Sequence, residues 1–388
     1  MTIRFNDDQK ALKSAAAKLC EKFGDDYWLA RDNDGEWPNE FVSKIAESGW
    51  LGICMPESVG GSGLGVTEAA ILMQTIAESG GGFSAASSIH INLFGPQPIV
   101  QYGTIEQRER MLPGLIQGSE RMCFGVTEPN AGLDTGAIET RAERDGNHYI
   151  IFGQKIWTST AREADKILLL VRTTPRDKVK KSTDGLSLFY TSMDSKNIDV
   201  QEIPKMGRKA IDSNSVFIDG LRVSKNDRIG EEGSGFKYLL HGLNPERILI
   251  GAEAVGIGFA ALKKAVDYAR DRHVFGRPIG KNQGIQHPLA EVWMKLEAAN
   301  LMVFEAARLF DNGNQCGAES NAAKYLGAEA SHEACERAVL THGGMGYAKE
   351  YHVERYLRES YIARIAPVSS EMILNYISER VLNLPRSY

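Results

Sequence analysis

The spacing of hydrophobic residues changes twice along this chain. From Asp7 to about Gly118, apolar residues recur three and four positions apart, which is typical of helices with one buried face. The pattern predicts helices over residues 9–23, 67–79 and 105–116. Glycine-rich turns separate these segments.

Short β-like runs replace this pattern between residues 121 and 229. Gly, Asn, Asp and Pro residues bound each run, as expected for strands joined by turns. The predicted strands are residues 148–152, 166–171, 185–190, 198–203 and 215–218. Several short strands at this spacing predict a small barrel or sandwich.

Helical spacing returns after Gly235, with further helices predicted over residues 292–310, 321–340 and 371–382. Residues 248–262 are apolar almost all round, which indicates a buried helix. Asn244 and Pro245 are predicted as its N-cap and first helical residue. The chain is therefore expected to be mainly α with a central β-domain. The expected domains are residues 1–120, 121–230 and 231–388.

Composition excludes several classes of protein. A chain of 388 residues is too long for one core, and its net charge of −5 without a long basic run gives nucleic-acid binding little support. No run of 18 apolar residues occurs, so no membrane span is expected. The acidic start does not resemble a signal or transit peptide. Five scattered cysteines without a CxxC pair favour free thiols in a reducing, cytoplasmic location.

Some motifs are better explained by packing than by chemistry. Gly256 and Gly258 fit a dinucleotide fingerprint, but they lie inside a helical pattern instead of following a strand, so close helix packing is the better explanation. The pair His332 and Glu333 lacks the second histidine of a zinc-protease helix, so no metal site is expected.

Two groups of motifs carry a family resemblance. Residues 124–134 read FGVTEPNAGLD, and residues 153–159 read GQKIWTS. Later come RDRHVFGRPI at residues 270–279, NQ at 282–283 and HGGMG at 342–346. In this order and spacing they resemble the acyl-CoA dehydrogenase family over essentially the whole chain. The resemblance implies an N-terminal helical domain, a small β-barrel and a C-terminal four-helix bundle.

The resemblance also implies FAD as cofactor and assigns residues to it. Phe124, Val126 and Thr127 would lie along the isoalloxazine, with Trp157 and Ser159 on its other side. The remaining implied contacts, several of them across a subunit interface, are Arg272, Phe275, Gln283, Leu340, Gly343, Gly344, Ser369 and Glu371. Each FAD would be held by two subunits of a homotetramer. Taken singly, Trp157 could be a core aromatic and Arg272 half of a surface ion pair.

The implied reaction requires one side chain to act as a base. Desaturation between the α and β carbons of an acyl thioester needs a base for the α proton and a hydride acceptor for the β hydrogen. The thioester oxygen also needs hydrogen-bond donors, since negative charge develops there. A carboxylate whose pKa is raised by a dry pocket is suited to be that base.

The commonest base of the family is missing here. That glutamate lies in a C-terminal loop, and its position is occupied by Pro367, which also lacks an N–H for the thioester oxygen. Either a flavin ribityl hydroxyl acts alone on that oxygen, or a neighbour such as the Val368 N–H substitutes. In the long-chain and isovaleryl branches the glutamate comes from the buried helix, directly before an arginine. Glu246, followed by Arg247, is at that point and is the candidate base.

Two further expectations concern this region. A glutamate in a helix's first turn is favoured by the helix dipole without any catalytic role, and the dipole would lower the pKa that catalysis needs raised. Burial under the acyl chain is expected to prevail. Leu133, Asn244 and Arg247 are the candidate substrate contacts.

The sequence leaves open functions other than that of a dehydrogenase. A non-catalytic acyl-CoA-binding homologue is favoured only by Pro367, and an acyl-CoA or nitroalkane oxidase would use oxygen directly. A dehydrogenase would instead pass electrons to an electron-transfer flavoprotein. The helix-borne glutamate weakly favours a long or methyl-branched acyl group, and the sequence does not give the chain length.

Overall fold

The computed structural model describes residues 3–194 and 196–387, with helices at both ends of the chain and strands between them. The capping side chains of Asn6 and Thr104 each accept a hydrogen bond from a backbone N–H in the first turn of a helix. The helices of the amino-terminal part are α1 (Asp7–Cys20), α2 (Asp25–Asp34), α3 (Asn39–Glu47), α4 (Val66–Ile76), α5 (Gly82–Phe94), α6 (Gln97–Tyr102), α7 (Ile105–Met111) and α8 (Pro113–Gln117).

Two predicted helices are interrupted within the span that their hydrophobic pattern suggested. The segment 105–116 is divided at Leu112, since Pro113 starts a new helix at its first position. The segment 67–79 ends as an α-helix at Ile76 and continues as one wider turn up to the glycines. Gly80 has a φ of +102°, which allows the chain to turn sharply into α5.

The middle of the chain forms one sheet with strand order β6-β7-β3-β2-β4-β5-β8, and β1 pairs with β4. Each of the five predicted runs overlaps one of these strands, and only Gly185 and Ile203 lie outside, next to β5 and β6. The strands are β1 (Met122–Gly125), β2 (Arg141–Asp145), β3 (His148–Ser159), β4 (Lys166–Arg172), β5 (Leu186–Ser192), β6 (Ile198–Glu202), β7 (Ser213–Ser224) and β8 (Arg228–Ile229).

The sheet folds over into an open barrel. Its two halves are joined by a single parallel pair, Arg141 with Arg172, between β2 and β4. Side chains from both halves, such as Ile151 and Leu169, bury themselves in one core. Within the described residues β6 and β8 do not pair, so the barrel is not closed.

The carboxyl-terminal part is a bundle of long helices. A short hairpin of β9 (His273–Val274) and β10 (Arg277–Pro278) follows the first of them. The helices are α9 (Gly235–Asp271), α10 (Gln283–Asp311), α11 (Gly317–His342), α12 (Val353–Ile365) and α13 (Ser370–Arg380).

The predicted start of the buried helix is wrong. Helix α9 begins at Gly235, so Asn244 is not an N-cap, and Pro245 lies inside the helix. Proline removes one backbone hydrogen bond and disfavours an interior position. Burial of residues on both sides of Pro245, among them Leu239 and Ile248, opposes that cost. The capping pattern of Asn followed by Pro is therefore misleading here.

The two glycines with a dinucleotide-like spacing serve helix packing, as predicted. A Cβ added at Gly256 would lie 2.4 Å from the Gln74 carbonyl oxygen in α4. One added at Gly258 would lie 2.5 Å from the side chain of Leu296 in α10. Neither position can hold a larger residue without moving a neighbouring helix.

The helices of both ends share one hydrophobic core. Buried side chains of α4 and α5 pack with those of α9, α10 and α11 in a single cluster. The predicted amino-terminal and carboxyl-terminal domains therefore share one continuous packing interface, and the two domain boundaries stay a prediction. No helix among residues 3–194 and 196–387 is long and apolar enough to cross a membrane.

A long-range cap joins the two helical parts. The Asp311 carboxylate at the end of α10 accepts hydrogen bonds from the backbone N–H groups of Val66 and Thr67, at 2.7 and 2.9 Å, and from the Thr67 hydroxyl at 2.6 Å. It thereby satisfies the first N–H groups of α4.

Replacing Asp311 with alanine should therefore lower the free energy of unfolding by about 1–2 kcal/mol. Denaturant unfolding of both proteins measures the difference. Asp267→Ala is the matched control, since that residue forms only exposed pairs, with Lys263 and Arg270, and should cost less than about 1 kcal/mol. Equal losses in the two variants would show that the cap contributes nothing specific.

Candidate active site

The loop after β1 presents backbone groups to a cleft. Phe124 is in β1, and Val126 and Thr127 follow it; all three are half-buried. Strand β1 pairs only with β4 among the described strands, so its other edge offers peptide groups to a ligand. The Ile156 N–H donates to the Thr127 carbonyl at 2.9 Å, which brings the second flavin motif beside the first.

Trp157 is both exposed and strained. Its φ is +59°, a left-handed conformation that costs a residue with a Cβ about 1–2 kcal/mol. It lies where the pairing of β3 with β7 shifts register, and 56% of its surface is exposed. An indole held outward at such a cost is typical of a ligand-stacking position and excludes the alternative of a core aromatic.

A buried ion pair fixes this loop. Lys155 is fully buried, and its Nζ donates to Glu128 Oε1 at 2.7 Å and to the Val126 carbonyl at 3.1 Å. Glu128 also accepts from the N–H groups of Glu139 and Thr140. Burial lowers the pKa of Lys155 to about 8, so the lysine is still charged at neutral pH. Burial opposes ionisation of Glu128, but Lys155 holds its pKa below the ordinary value.

The cleft lies between β1, α5 and α9. The rings of Phe94 and Phe124 meet edge to face, with centroids 5.6 Å apart. Other residues lining the cleft are Gly95, Pro98, Leu239, Gly242 and Leu243. The lining is almost entirely apolar.

Glu246 is the acid beside this cleft, one helical turn after Gly242 on α9. Only 8% of its surface is exposed. Its carboxylate accepts no hydrogen bond from a side chain or loop amide in the described part of the chain. Burial raises the pKa of Glu246 to about 7, against the opposing charges of His90 and Arg247.

The helix dipole does not oppose this shift. Because α9 begins at Gly235, Glu246 is about three turns from the helix end, and dipole effects fall off within the first turn. Glu246 is therefore not an acid that the helix dipole favours in a first turn.

A buried polar cluster next to Glu246 was not predicted from the sequence. His90 of α5 places Nδ1 2.5 Å from Oε1 of Glu253 on α9. Half-buried Arg208 donates to the hydroxyls of Ser87 and Ser159, at 3.0 and 3.1 Å. The sequence contained one signal for this cluster. His90 and Glu253 are ionisable residues inside helical segments that are otherwise nearly apolar.

The three candidate substrate contacts do not come together. Asn244 and Arg247 bind each other, with Arg247 Nη1 donating to Asn244 Oδ1 at 3.1 Å. Arg247 is half-buried, and burial lowers its pKa. Leu133 lies exposed in the loop after β1, and no contact joins it to the other two.

The C-terminal loop is bound to α11. Buried Lys324 of α11 donates to the Val368 carbonyl at 2.6 Å, while the Val368 N–H has no acceptor within the described residues. The Ser369 hydroxyl caps α13 by accepting from the Met372 N–H at 3.4 Å. Glu371, in the first turn of that helix, is exposed.

Six other predicted cofactor contacts lie at the far end of α9. The ends of α9 and α11 are joined there by stacking of Tyr268 on His342, with ring centroids 4.2 Å apart. Phe275 is 100% exposed and has a φ of +53°. All six are exposed: Arg272, Phe275, Gln283, Leu340, Gly343 and Gly344. From Glu246 to Asp271 the helix rises about 37 Å, so these residues are remote from the cleft.

Family models identify the class of protein that this fold and site define. Models described as acyl-CoA dehydrogenase N-terminal, middle and C-terminal domains match residues 6–119, 123–221 and 233–382. The chain belongs to the acyl-CoA dehydrogenase family. It is an oxidoreductase that acts on the CH–CH group of an acyl-CoA, and the family implies a flavin.

Individual relatives agree along the full length. Acyl-CoA dehydrogenase FadE12 of Mycobacterium tuberculosis is 36% identical, with 99% of this chain and 98% of the relative covered. The caffeyl-CoA reductase-Etf complex subunit CarC of Acetobacterium woodii is 32% identical over 97% of this chain and 99% of its own. The structure of butyryl-CoA dehydrogenase from Megasphaera elsdenii is 28% identical and has a TM-score of 0.93, with 98% of this chain and 100% of that chain covered.

Proposed function

We propose that the protein is an FAD-dependent dehydrogenase that converts a fatty or branched acyl-CoA into its trans-2-enoyl-CoA, with Glu246 as the base. The carboxylate of Glu246 takes the α proton, and bound FAD would accept the β hydrogen as hydride. The observation that carries the proposal is a buried carboxyl with a pKa of about 7 at the edge of an apolar cleft. A base with a pKa near the working pH is effective in proton transfer.

The residues on one side of the cleft fit the flavin ring. The free edge of β1 and the loop at Val126 and Thr127 would offer peptide N–H groups to its polar edge, since the carbonyls of both loop residues already accept hydrogen bonds within the chain. Trp157, held outward by its backbone, would stack beside it, and Ser159 would lie next to it at the end of β3. The buried pair of Lys155 and Glu128 would hold this loop in place for binding.

The thioester oxygen needs a donor that Pro367 cannot supply. The Val368 N–H is available within the described residues, and Lys324 fixes the same peptide through its carbonyl. We infer that this N–H polarises the thioester oxygen in place of the missing amide, so that the ribityl hydroxyl does not act alone. Arg247 and Asn244 would support the substrate from α9, with Leu133 near the cleft entrance.

The exposed residues at the far end of α9 are proposed to serve the FAD of another subunit. Phe275 combines full exposure with a left-handed backbone, which indicates a surface that a partner covers. In the assembled enzyme Arg272 and Gln283 would contact the FAD of a neighbouring chain. Leu340, Gly343 and Gly344 would lie near its adenosine end, while Ser369 and Glu371 would complete the set of cofactor contacts.

A homotetramer, arranged as a dimer of dimers, would provide these contacts. Its formation is supported by large apolar side chains exposed on the C-terminal helices: Trp293, Met294, Leu301, Leu326, Leu340, Ile365 and Leu374. Sedimentation equilibrium should give four times the chain mass of 42.7 kDa, since burial of this surface stabilises the assembly. A single-chain mass at micromolar concentration would rule out shared cofactor sites.

The electron acceptor is proposed to be an electron-transfer flavoprotein, as in the complex that the name of the Acetobacterium relative describes. A place in fatty acid β-oxidation would supply the substrate. The five cysteines of the chain are all unpaired, which supports a reducing cytoplasmic location.

The test is flavin reduction by acyl-CoA in the absence of oxygen. Adding acyl-CoAs of different length and branching to the purified holoenzyme should bleach the flavin absorbance for the true substrate class. Only ionised Glu246 can take the proton, so the reduction rate should rise with pH through about 7 and level off above it.

Three results would favour other functions. No bleaching with any acyl-CoA, despite binding, would indicate a non-catalytic homologue. Rapid consumption of oxygen by the reduced enzyme would indicate an acyl-CoA oxidase, and bleaching by nitroalkanes alone a nitroalkane oxidase. A rate independent of pH between 5 and 9 would argue against Glu246 as the base.

A further inference from the structure

Helices α5 and α9 enclose an ion pair that the proposed reaction does not use. His90 and Glu253 are both buried, and 2.5 Å separates Nδ1 of the histidine from Oε1 of the glutamate. The His90 ring packs against Phe94, with centroids 4.8 Å apart, and Phe94 lines the cleft. The pair therefore lies directly behind the wall of the candidate active site.

The two helices run antiparallel and place this pair next to Glu246. At one end, a Cβ on Gly82 would lie 3.1 Å from the side chain of Ile257. At the other end, a Cβ on Gly242 would lie 3.7 Å from the Phe94 carbonyl oxygen. His90 lies between these contacts on α5. Glu246 and Glu253 are seven residues apart on α9, which puts both carboxyls on one helix face.

Without a cation, this helix face would carry two buried acids. Carboxylates that share a buried site cannot both be ionised easily, so one of them keeps its proton. Burial alone would lower the pKa of His90, but the charge and hydrogen bond of Glu253 raise it above its ordinary value. The Glu253 carboxylate therefore favours the protonated form of the imidazole.

Other charges around the pair come from different elements. Arg208, in the connection between β6 and β7, is a cation whose positive charge disfavours the protonated form of His90. The acids Asp212 and Glu359 in turn face Arg208. Two atoms of the pair, Nε2 of His90 and Oε2 of Glu253, are buried without a hydrogen-bond partner in the described chain. The second imidazole nitrogen is thus not committed to any other group.

We propose that His90, held by Glu253, is a positioning residue that favours the ionised form of the Glu246 carboxylate. The proposal rests on the proposed function, in which Glu246 is the base. His90 offsets the negative charge of Glu253 and presents a positive charge to Glu246. Burial raises the pKa of Glu246, and His90 is the first of the charges that oppose the rise, ahead of Arg247.

Three forms of the holoenzyme test this role: the parent, His90→Gln and the double variant His90→Gln with Glu253→Gln. The pH midpoint of flavin reduction by acyl-CoA is measured for each. His90→Gln leaves Glu253 facing Glu246 without a cation, so its midpoint should rise by at least about 1 pH unit. The double variant also removes the second acid, so its midpoint should fall between those of the other two.

A purely structural His90 would give a different result. The rate of His90→Gln would then fall by the same factor at every pH, with the midpoint of the parent, and this would overturn the proposal. If His90→Gln does not retain flavin, His90→Lys keeps a cation beside Glu253 and should keep the parent's midpoint. A midpoint raised by about 1 pH unit in that variant would equally reject the role.

Glu246→Gln in the same series separates the two proposals. If Glu246→Gln loses flavin reduction while His90→Gln keeps the parent's midpoint, the role of His90 is wrong and the base is retained. If Glu246→Gln is reduced as fast as the parent, the proposed base itself is wrong.

Discussion

Replacing Glu246 with glutamine should lower the rate of flavin reduction by acyl-CoA about 10²–10⁴-fold, the usual contribution of general base catalysis. Glutamine keeps the size of the side chain but cannot accept the α proton. The variant should remain folded and yellow, because Glu246 accepts no hydrogen bond from a side chain or loop amide in the described chain and lies off the proposed flavin-binding loop. Stopped-flow absorbance under anaerobic conditions measures the rate.

Glu109→Gln is the control for this variant, because it makes the same chemical change in an exposed residue of α7. Its rate should equal that of the parent. Flavin content and thermal unfolding of both variants show whether a loss of rate reflects chemistry. A Glu246→Gln rate within a factor of two of the control would identify some other group as the base.

Replacing Lys155 with methionine should lower the free energy of unfolding by about 3–5 kcal/mol, since it leaves the Glu128 carboxylate buried without its counter-ion. The Val126 carbonyl also loses its donor, so the loop that is proposed to bind the flavin loosens. The variant should therefore lose FAD on dilution more readily than the parent. Denaturant unfolding and the flavin remaining after gel filtration measure the two effects.

Lys166→Met makes the same change in β4, where the lysine forms a 3.5 Å pair with Glu120 and donates to the exposed Ser192 hydroxyl at 3.0 Å. Its cost should stay below about 1 kcal/mol because the pair is partly exposed. Adding Glu128→Gln to Lys155→Met should recover part of the lost stability, since no uncompensated charge is then buried. If Lys155→Met unfolds like Lys166→Met and keeps its FAD, the pair has no role in holding the loop.

The order of elements could be read from the sequence because each element has a local pattern. Apolar spacing predicted the helices of both ends and the short runs of the sheet, and all five predicted runs overlap strands. Local patterns also misled. Asn244 and Pro245 form an ideal helix start, yet α9 continues through them, because packing on both sides outweighs one lost hydrogen bond.

The sequence predicted only those residues of the candidate site that belong to a family motif. Glu246 and Trp157 were chosen by resemblance, and the structure adds burial for the first and a strained, exposed backbone position for the second. The pairs His90 with Glu253 and Lys155 with Glu128 were missed. Their members are 163 and 27 residues apart, and no local spacing brings such distant residues together.

Arg208 and Asp311 show the same limit. The charged group of each residue forms hydrogen bonds with a distant element. These partners come together only after the helices and the sheet have packed. A single sequence shows that a charged residue is present, but the choice of its partner depends on the tertiary fold.

The most direct test of the account follows the α proton itself. An acyl-CoA analogue with sulfur in place of the β carbon has no β hydrogen to transfer, so only proton removal can occur. In deuterium oxide, NMR should show exchange of its α hydrogens with the parent holoenzyme. With Glu246→Gln, binding of the analogue should persist and exchange should be lost. Exchange by Glu246→Gln at the parent's rate would contradict the assignment of Glu246 as the base.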